Sequence, residues 1–107
     1  MITAPREDGT HSVLEVRGAL RFPMSGELRR SMRALVARGE RRVVLDLSRL
    51  TAIDAAGVGE LVCAFNMMRV KGGVLQVVNA RGRVRYVLDI TGVSKLLAGG
   101  SFLYNSL

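Results

Sequence analysis

His11 to Leu20 is the first stretch with a regular pattern. Val13, Glu15 and Arg17 alternate with Leu14, Val16 and Gly18, a period of two that predicts a strand. Past Arg21-Phe22-Pro23-Met24 the period lengthens. Leu28, Met32, Leu35 and Val36 recur at helical spacing. Ser25 is the predicted N-cap of this helix, and Glu27 falls in its first turn, where the helix dipole favours an acid. Gly39 is placed to end it in a left-handed cap. Val43-Val44-Leu45-Asp46-Leu47 is a short, almost wholly apolar run, the pattern of a strand buried on both faces. Residues 48–53 read as a connection. Helical spacing returns over residues 54–71, where Val58, Leu61, Val62, Phe65 and Met68 form one apolar stripe, and Gly72-Gly73 stops it. Val74 to Val78 is the next strand. Strand, helix and strand within about 35 residues predict a right-handed crossover between parallel strands. A third helix is predicted from Arg83 to Ile90, burying Val84, Val87 and Leu88, with Gly92 near its end. Val93, Leu96 and Leu97 give a further apolar turn, and Phe102-Leu103-Tyr104 a last short strand. The expected architecture is α/β: one domain over 1–107, with helices packed on a mixed central β-sheet. Its core spans about residues 12–106, and residues 1–11 form a flexible or edge segment.

One stretch, residues 45–59, says more than its periodicity. Asp46 stands near the end of a buried strand, and Asp54 is placed to cap the following helix, whose first N–H groups have no partner within the helix. Ala55, Ala56, Gly57 and Gly59 leave almost no side-chain bulk around that helix start, so another molecule can approach its backbone closely. The face opposite the apolar stripe carries Ala56, Gly59, Glu60, Cys63, Asn66, Met67 and Val70. An outward face is usually charged, and this one is small and partly apolar. It is either a contact surface or a face covered by a neighbouring helix.

Charge and composition narrow the functions. The net charge is +7, and Arg supplies 14 of the 16 basic residues. The arginines are scattered over 29–33, 38–42 and 81–85, and aromatic residues, at 5%, do not interleave with them to make a stacking platform. Such a charge can mean nucleic acid, an anionic membrane surface or an acidic protein partner, but with no helix-turn-helix or zinc-finger spacing a solvated basic face is the better reading than nucleic acid. No apolar run reaches the roughly 20 residues that span a bilayer. Residues 1–10 lack the apolar stretch of a signal peptide, which predicts a cytoplasmic protein with no membrane insertion. Catalytic groups are sparse. His11 has no Cys nearby, Cys63 has no neighbouring His to activate it, and Gly57-Val58-Gly59 lacks the frame and lysine of a phosphate-binding loop. Asp46, Asp54 and Asp89 make an acid–base pair only if the fold brings two together; caps and surface charges are the simpler account. A non-enzymatic protein without metal or cofactor is expected.

The order of these features resembles the STAS family of anti-sigma-factor antagonists. Its signature, an Asp-Leu strand followed by Asp-Ser-(Ser/Ala)-Gly-(Leu/Val)-Gly and an amphipathic helix, is matched by Asp46-Leu47 and by Asp54-Ala55-Ala56-Gly57-Val58-Gly59. Residues 72–79 are similar to the family's next strand, and residues 84–97 to its third helix and the turn after it. The resemblance implies binding to an anti-sigma factor of the serine-kinase type, freeing a sigma factor. It implies a partner-binding set of Asp54, Ala55, Ala56, Gly57, Gly59, Glu60, Cys63 and Met67. In the family the kinase phosphorylates a serine directly after the Asp, which breaks the complex. Ala55 holds that position here and has no hydroxyl, so the usual switch is missing. Ser48 and Thr51, the nearest hydroxyls, read as loop residues bonding to local backbone. The alternative role implied by the same family is a small subunit of a membrane transport complex, docking on a transporter ATPase. Homodimerisation is compatible with either.

Overall fold

The computed structural model describes residues 2, 6–8, 11–21, 26–98 and 104–105. In chain order the elements are β1 (Arg6–Asp8), β2 (His11–Glu15), β3 (Gly18–Leu20), α1 (Gly26–Ala37), β4 (Arg42–Asp46), β5 (Leu50–Ile53), α2 (Ala55–Val70), β6 (Val74–Val78), α3 (Gly82–Ile90), α4 (Val93–Ala98) and β7 (Tyr104–Asn105). Five strands form one sheet in the order β1-β2-β4-β6-β7. β1 pairs antiparallel with β2 at the edge, and the other neighbours are parallel, so the sheet is mixed. The predicted cap Ser25 and the strand residues Phe102 and Leu103 lie outside the described residues.

β4 is the centre of the sheet, and its three middle residues, Val43, Val44 and Leu45, are all apolar and buried. Val43 and Leu45 join Leu14 of β2 and Leu75 and Val77 of β6 in the main core, with Leu28, Met32 and Leu35 of α1 and Leu61, Phe65 and Met68 of α2. Val13, Val44 and Val78 form a smaller buried cluster. Strand side chains alternate between faces, so these three belong to the opposite side. α1 ends as its sequence predicts. Gly39 has φ +86°, its N–H donates to the Val36 carbonyl, and the Glu40 N–H donates to the Leu35 carbonyl. Those two bonds are the Schellman pattern.

Two elements differ from expectation. His11 to Leu20 is not one strand. β2 stops at Glu15, Val16 bridges to Ile2, and Gly18 takes φ +80° before β3 pairs in parallel with β5. The alternation continues through the break, so hydropathy alone does not reveal it. Residues 48–53, expected as a connection, contain β5. That strand exists because β3 lies alongside, some thirty residues upstream, and a pairing at that distance leaves no local signal. β3 and β5 make a separate two-stranded sheet. The expected burial of Val87 is only half met: Val84 and Leu88 are the buried residues of α3.

Candidate functional site

The start of α2 is clamped from beneath and open above. Asp54 leaves β5 in an extended conformation, and its Oδ1 accepts from the Gly57 N–H at 2.9 Å. The Asp54 carbonyl accepts from the Val58 N–H at 2.9 Å, and the Asp54 N–H donates to the Leu20 carbonyl at 3.4 Å. Gly57 is buried where the helix crosses β3. A Cβ at Gly57 would lie 1.9 Å from the Leu20 carbonyl oxygen, so only glycine allows this approach. Above the clamp, Ala55, Ala56 and Gly59 are exposed, and a Cβ at Gly59 would meet nothing within 4 Å. The helix therefore presents a step almost free of side chains.

The predicted site residues divide into two groups. Ala55, Ala56 and Gly59 are exposed, while Asp54, Cys63 and Met67 are half-buried along the same helix. Gly57 and Glu60 are turned inward. Gly57 serves the helix–strand crossing rather than an outer contact. Glu60, expected on the outward face, has a side chain only 4% exposed and an ion pair to Arg29 of α1 at 2.5 Å. α1 packs beside α2 and covers that part of its surface. The Glu60 hydrogen bond and negative charge raise the Arg29 pKa above its ordinary value. The second Glu60 oxygen, Oε1, has no hydrogen-bond partner. The buried stripe of α2 is thus Gly57, Glu60, Leu61, Ala64, Phe65 and Met68, while Val58 and Val62, expected in the core, are half-buried at its margin.

What α1 leaves uncovered is a groove of about 700 Å³ between the two helices. Val36 and Ala37 of α1 and Val62, Cys63, Met67 and Val70 of α2 give it an apolar lining. Arg33 and Lys71 also border it. Val70 is 74% exposed. The sequence pointed to the α2 side of this groove. The α1 wall was hidden because Val36 reads as one more residue of that helix's own apolar stripe.

The remaining carboxylates are tied to structure. Asp46 Oδ1 accepts from the Ser48 N–H at 3.0 Å and from Asn79 Nδ2 at 3.2 Å, joining the ends of β4 and β6. Asp89 accepts from the Ser94 hydroxyl at 3.0 Å. The Thr51 hydroxyl donates to the Gly18 carbonyl at 2.9 Å, a bond to the neighbouring strand rather than to local backbone. Among the described residues, no three His, Cys, Asp or Glu side chains gather as a metal site would require. No helix among them is long and apolar enough to cross a membrane.

Comparisons with known proteins agree with this geometry. A family model described as "Mlab, STAS domain" matches residues 3–98. A Bordetella bronchiseptica protein described as "Putative anti-sigma factor antagonist BtrV" is 34% identical over 77 residues, 72% of this chain and 66% of that protein's length. The structure of an anti-sigma factor antagonist from Mycobacterium paratuberculosis superposes with a TM-score of 0.81 at 25% identity, covering 98% of this chain and 86% of that one. Unphosphorylated SpoIIAA, an anti-sigma factor antagonist, shares the fold with a TM-score of 0.68 at 14% identity, covering 90% of this chain and 97% of its own. With the family model spanning nearly its whole length and the Asp54-capped helix in its expected place, the chain belongs to the STAS domain family.

Proposed function

We propose that this chain is an anti-sigma factor antagonist, acting in the cytoplasm, that binds an anti-sigma factor through the first turn and outer face of α2 and so frees a sigma factor. The observation that carries this reading is the exposed, side-chain-poor step at Ala55, Ala56 and Gly59, held rigid by the Asp54 cap and the Gly57 crossing. A docking surface gains from such rigidity because little order remains to be imposed on binding. The names that the Bordetella relative and the Mycobacterium protein carry support the same assignment. Ala55 stands where the family resemblance places the phosphorylated serine. With a methyl group there, the chain stays in the binding-competent state whether or not its partner is a kinase. Asp54, Cys63 and Met67 complete the proposed contact, and Gly57 and Glu60 support it from within.

The test is purification of tagged protein from its native cell, followed by binding measurements on variants. A stoichiometric anti-sigma factor is the expected companion; a transporter ATPase in its place assigns the chain to the transport role instead. Ala55→Asp adds charge and bulk at the proposed contact. An acid in a first helical turn is tolerated by the helix dipole, so the melting temperature should hold. Binding should fall by about 2 kcal/mol or more, the cost of an unpaired carboxylate in an interface. Unchanged affinity would remove the helix start from the contact. Ala55→Ser should gain a phosphate when the partner is an active kinase.

A further inference from the structure

We infer that the groove between α1 and α2 receives an amphipathic helix of the partner, whose apolar ridge is flanked by acidic side chains. The inference rests on the reading of α2 as a protein-docking element and adds the chemistry of what docks.

α2 is apolar on two sides. Leu61, Ala64, Phe65 and Met68 face the core, and a second row, Val62, Cys63, Met67 and Val70, lines the groove. A helix apolar on most of its circumference is normally covered on most of its circumference. Here α1 covers only part, and Val70 stands in water. The open row runs from Gly59 to Lys71, about 18 Å at the rise of an α-helix, or roughly three turns of a partner helix. Both walls are helices, whose backbone groups are bonded internally, so an extended strand would find no main-chain partners there. A helix needs none and seats side chains at i, i+3, i+4 and i+7.

Charge selects the flanks. α1 and α2 expose Arg29, Arg30, Arg33 and Arg69, and Lys71 follows directly. The acids of the two helices are Glu27 and Glu60. Glu27 Oε1 accepts from the Ile2 N–H at 2.7 Å, and Glu60 lies buried under Arg29. Arg29 is matched by Glu60, but among the described residues Arg33 and Lys71, which border the groove itself, have no acid of either helix beside them and make its rim cationic, within a chain of net charge +7. Acidic flanks are attracted to such a rim and basic ones repelled, which sets partner choice as well as on-rate.

The probe is a displayed library of designed helices about five turns long, with an invariant leucine ridge and flanking positions randomised among Glu, Gln and Lys. Selection on the intact protein should enrich Glu at the flanks. Cys63 lines the groove, so the selected peptide should slow its alkylation. Arg33→Glu combined with Lys71→Glu, both exposed positions, should weaken that peptide by about tenfold or more and turn the preference toward Lys. No enrichment over input, enrichment of Lys or Gln flanks on the unaltered protein, or binding that leaves Cys63 as reactive as before overturns the inference. Protection of Cys63 by sodium dodecanoate, with no helix enriched, would reassign the groove to acyl anions. The two proposals fail separately. An anti-sigma factor sensitive to Ala55→Asp, with no peptide selected, retains the docking turn and removes the acidic helix. A selected acidic peptide with no anti-sigma factor recovered does the reverse.

Discussion

Gly57 and Gly59 sit two residues apart on α2 and answer to opposite constraints. At Gly57 an added Cβ would meet the Leu20 carbonyl oxygen at 1.9 Å and Ile53 Cγ1 at 2.8 Å, both parts of β3 and β5 that cannot easily retreat. Gly57→Ala should therefore cost about 2–3 kcal/mol of stability through overpacking. Gly59 is exposed, in regular helix, with open space where its Cβ would stand. Gly59→Ala should raise stability by about 0.5–1 kcal/mol, since alanine has less backbone freedom to lose. Denaturant titration of the two proteins decides the matter; a Gly57→Ala variant as stable as the parent would show that the crossing is not a clamp. If Gly59 also belongs to the docking step, its alanine variant becomes more stable and binds more weakly, two readouts that a purely structural role does not separate. The sequence showed only that both positions lack a side chain. What distinguishes them is Leu20, which is brought there by a pairing between distant strands.

At the scale of the helix, periodicity located α2 within a residue of its ends but centred its buried stripe wrongly. When most of a helix is apolar, several stripes fit the pattern, and the sequence does not say which one the neighbours cover. α1 decides it, by packing over Glu60 with Arg29. This ion pair carries a testable asymmetry. Removing Arg29 leaves a carboxylate that is already short of one hydrogen bond buried with no counter-charge. Removing Glu60 in favour of leucine deletes the orphaned oxygen and leaves a half-exposed arginine free to reach water. Arg29→Ala should thus lower the melting temperature more than Glu60→Leu does, and the opposite order would mean that the pair adds nothing to helix packing. Met67 packs partly against the core, so Met67→Glu would disturb folding and docking together. Val70 is nearly free of contacts, and glutamate is the better helix former there.

For the whole molecule, the readable part of the sequence was the part whose signal is local. The apolar run of β4, the stripes of α1 and α2 and the glycine caps all announce themselves within a dozen residues. The two-stranded sheet of β3 and β5 does not, yet it is what the docking turn rests on, through the Leu20 contacts to Asp54 and Gly57. The molecule therefore has a strong centre and a separately held site. β4 is paired on both sides and buried on both faces, with Val43 and Leu45 in the main core and Val44 in the smaller cluster. Freeing its amides requires both ladders to part and the helices to lift away. Among the described residues β3 and β5 have only each other as pairing partners, and their register shifts between Gly18 and Ala19 at one end. Local opening there leaves the five-stranded sheet intact. Native-state hydrogen exchange should find the amides of Val44 and Leu45 among the slowest, exchanging only with global unfolding. Those of Ala19 and Ala52 should exchange at least about tenfold faster, through a smaller opening. Binding of the partner on the α2 turn should close that gap, because an opening that moves Leu20 also displaces the surface the partner holds. Equal protection of the two sheets in the free protein would mean that they unfold as one unit, and that the docking turn is as firmly held as the core itself.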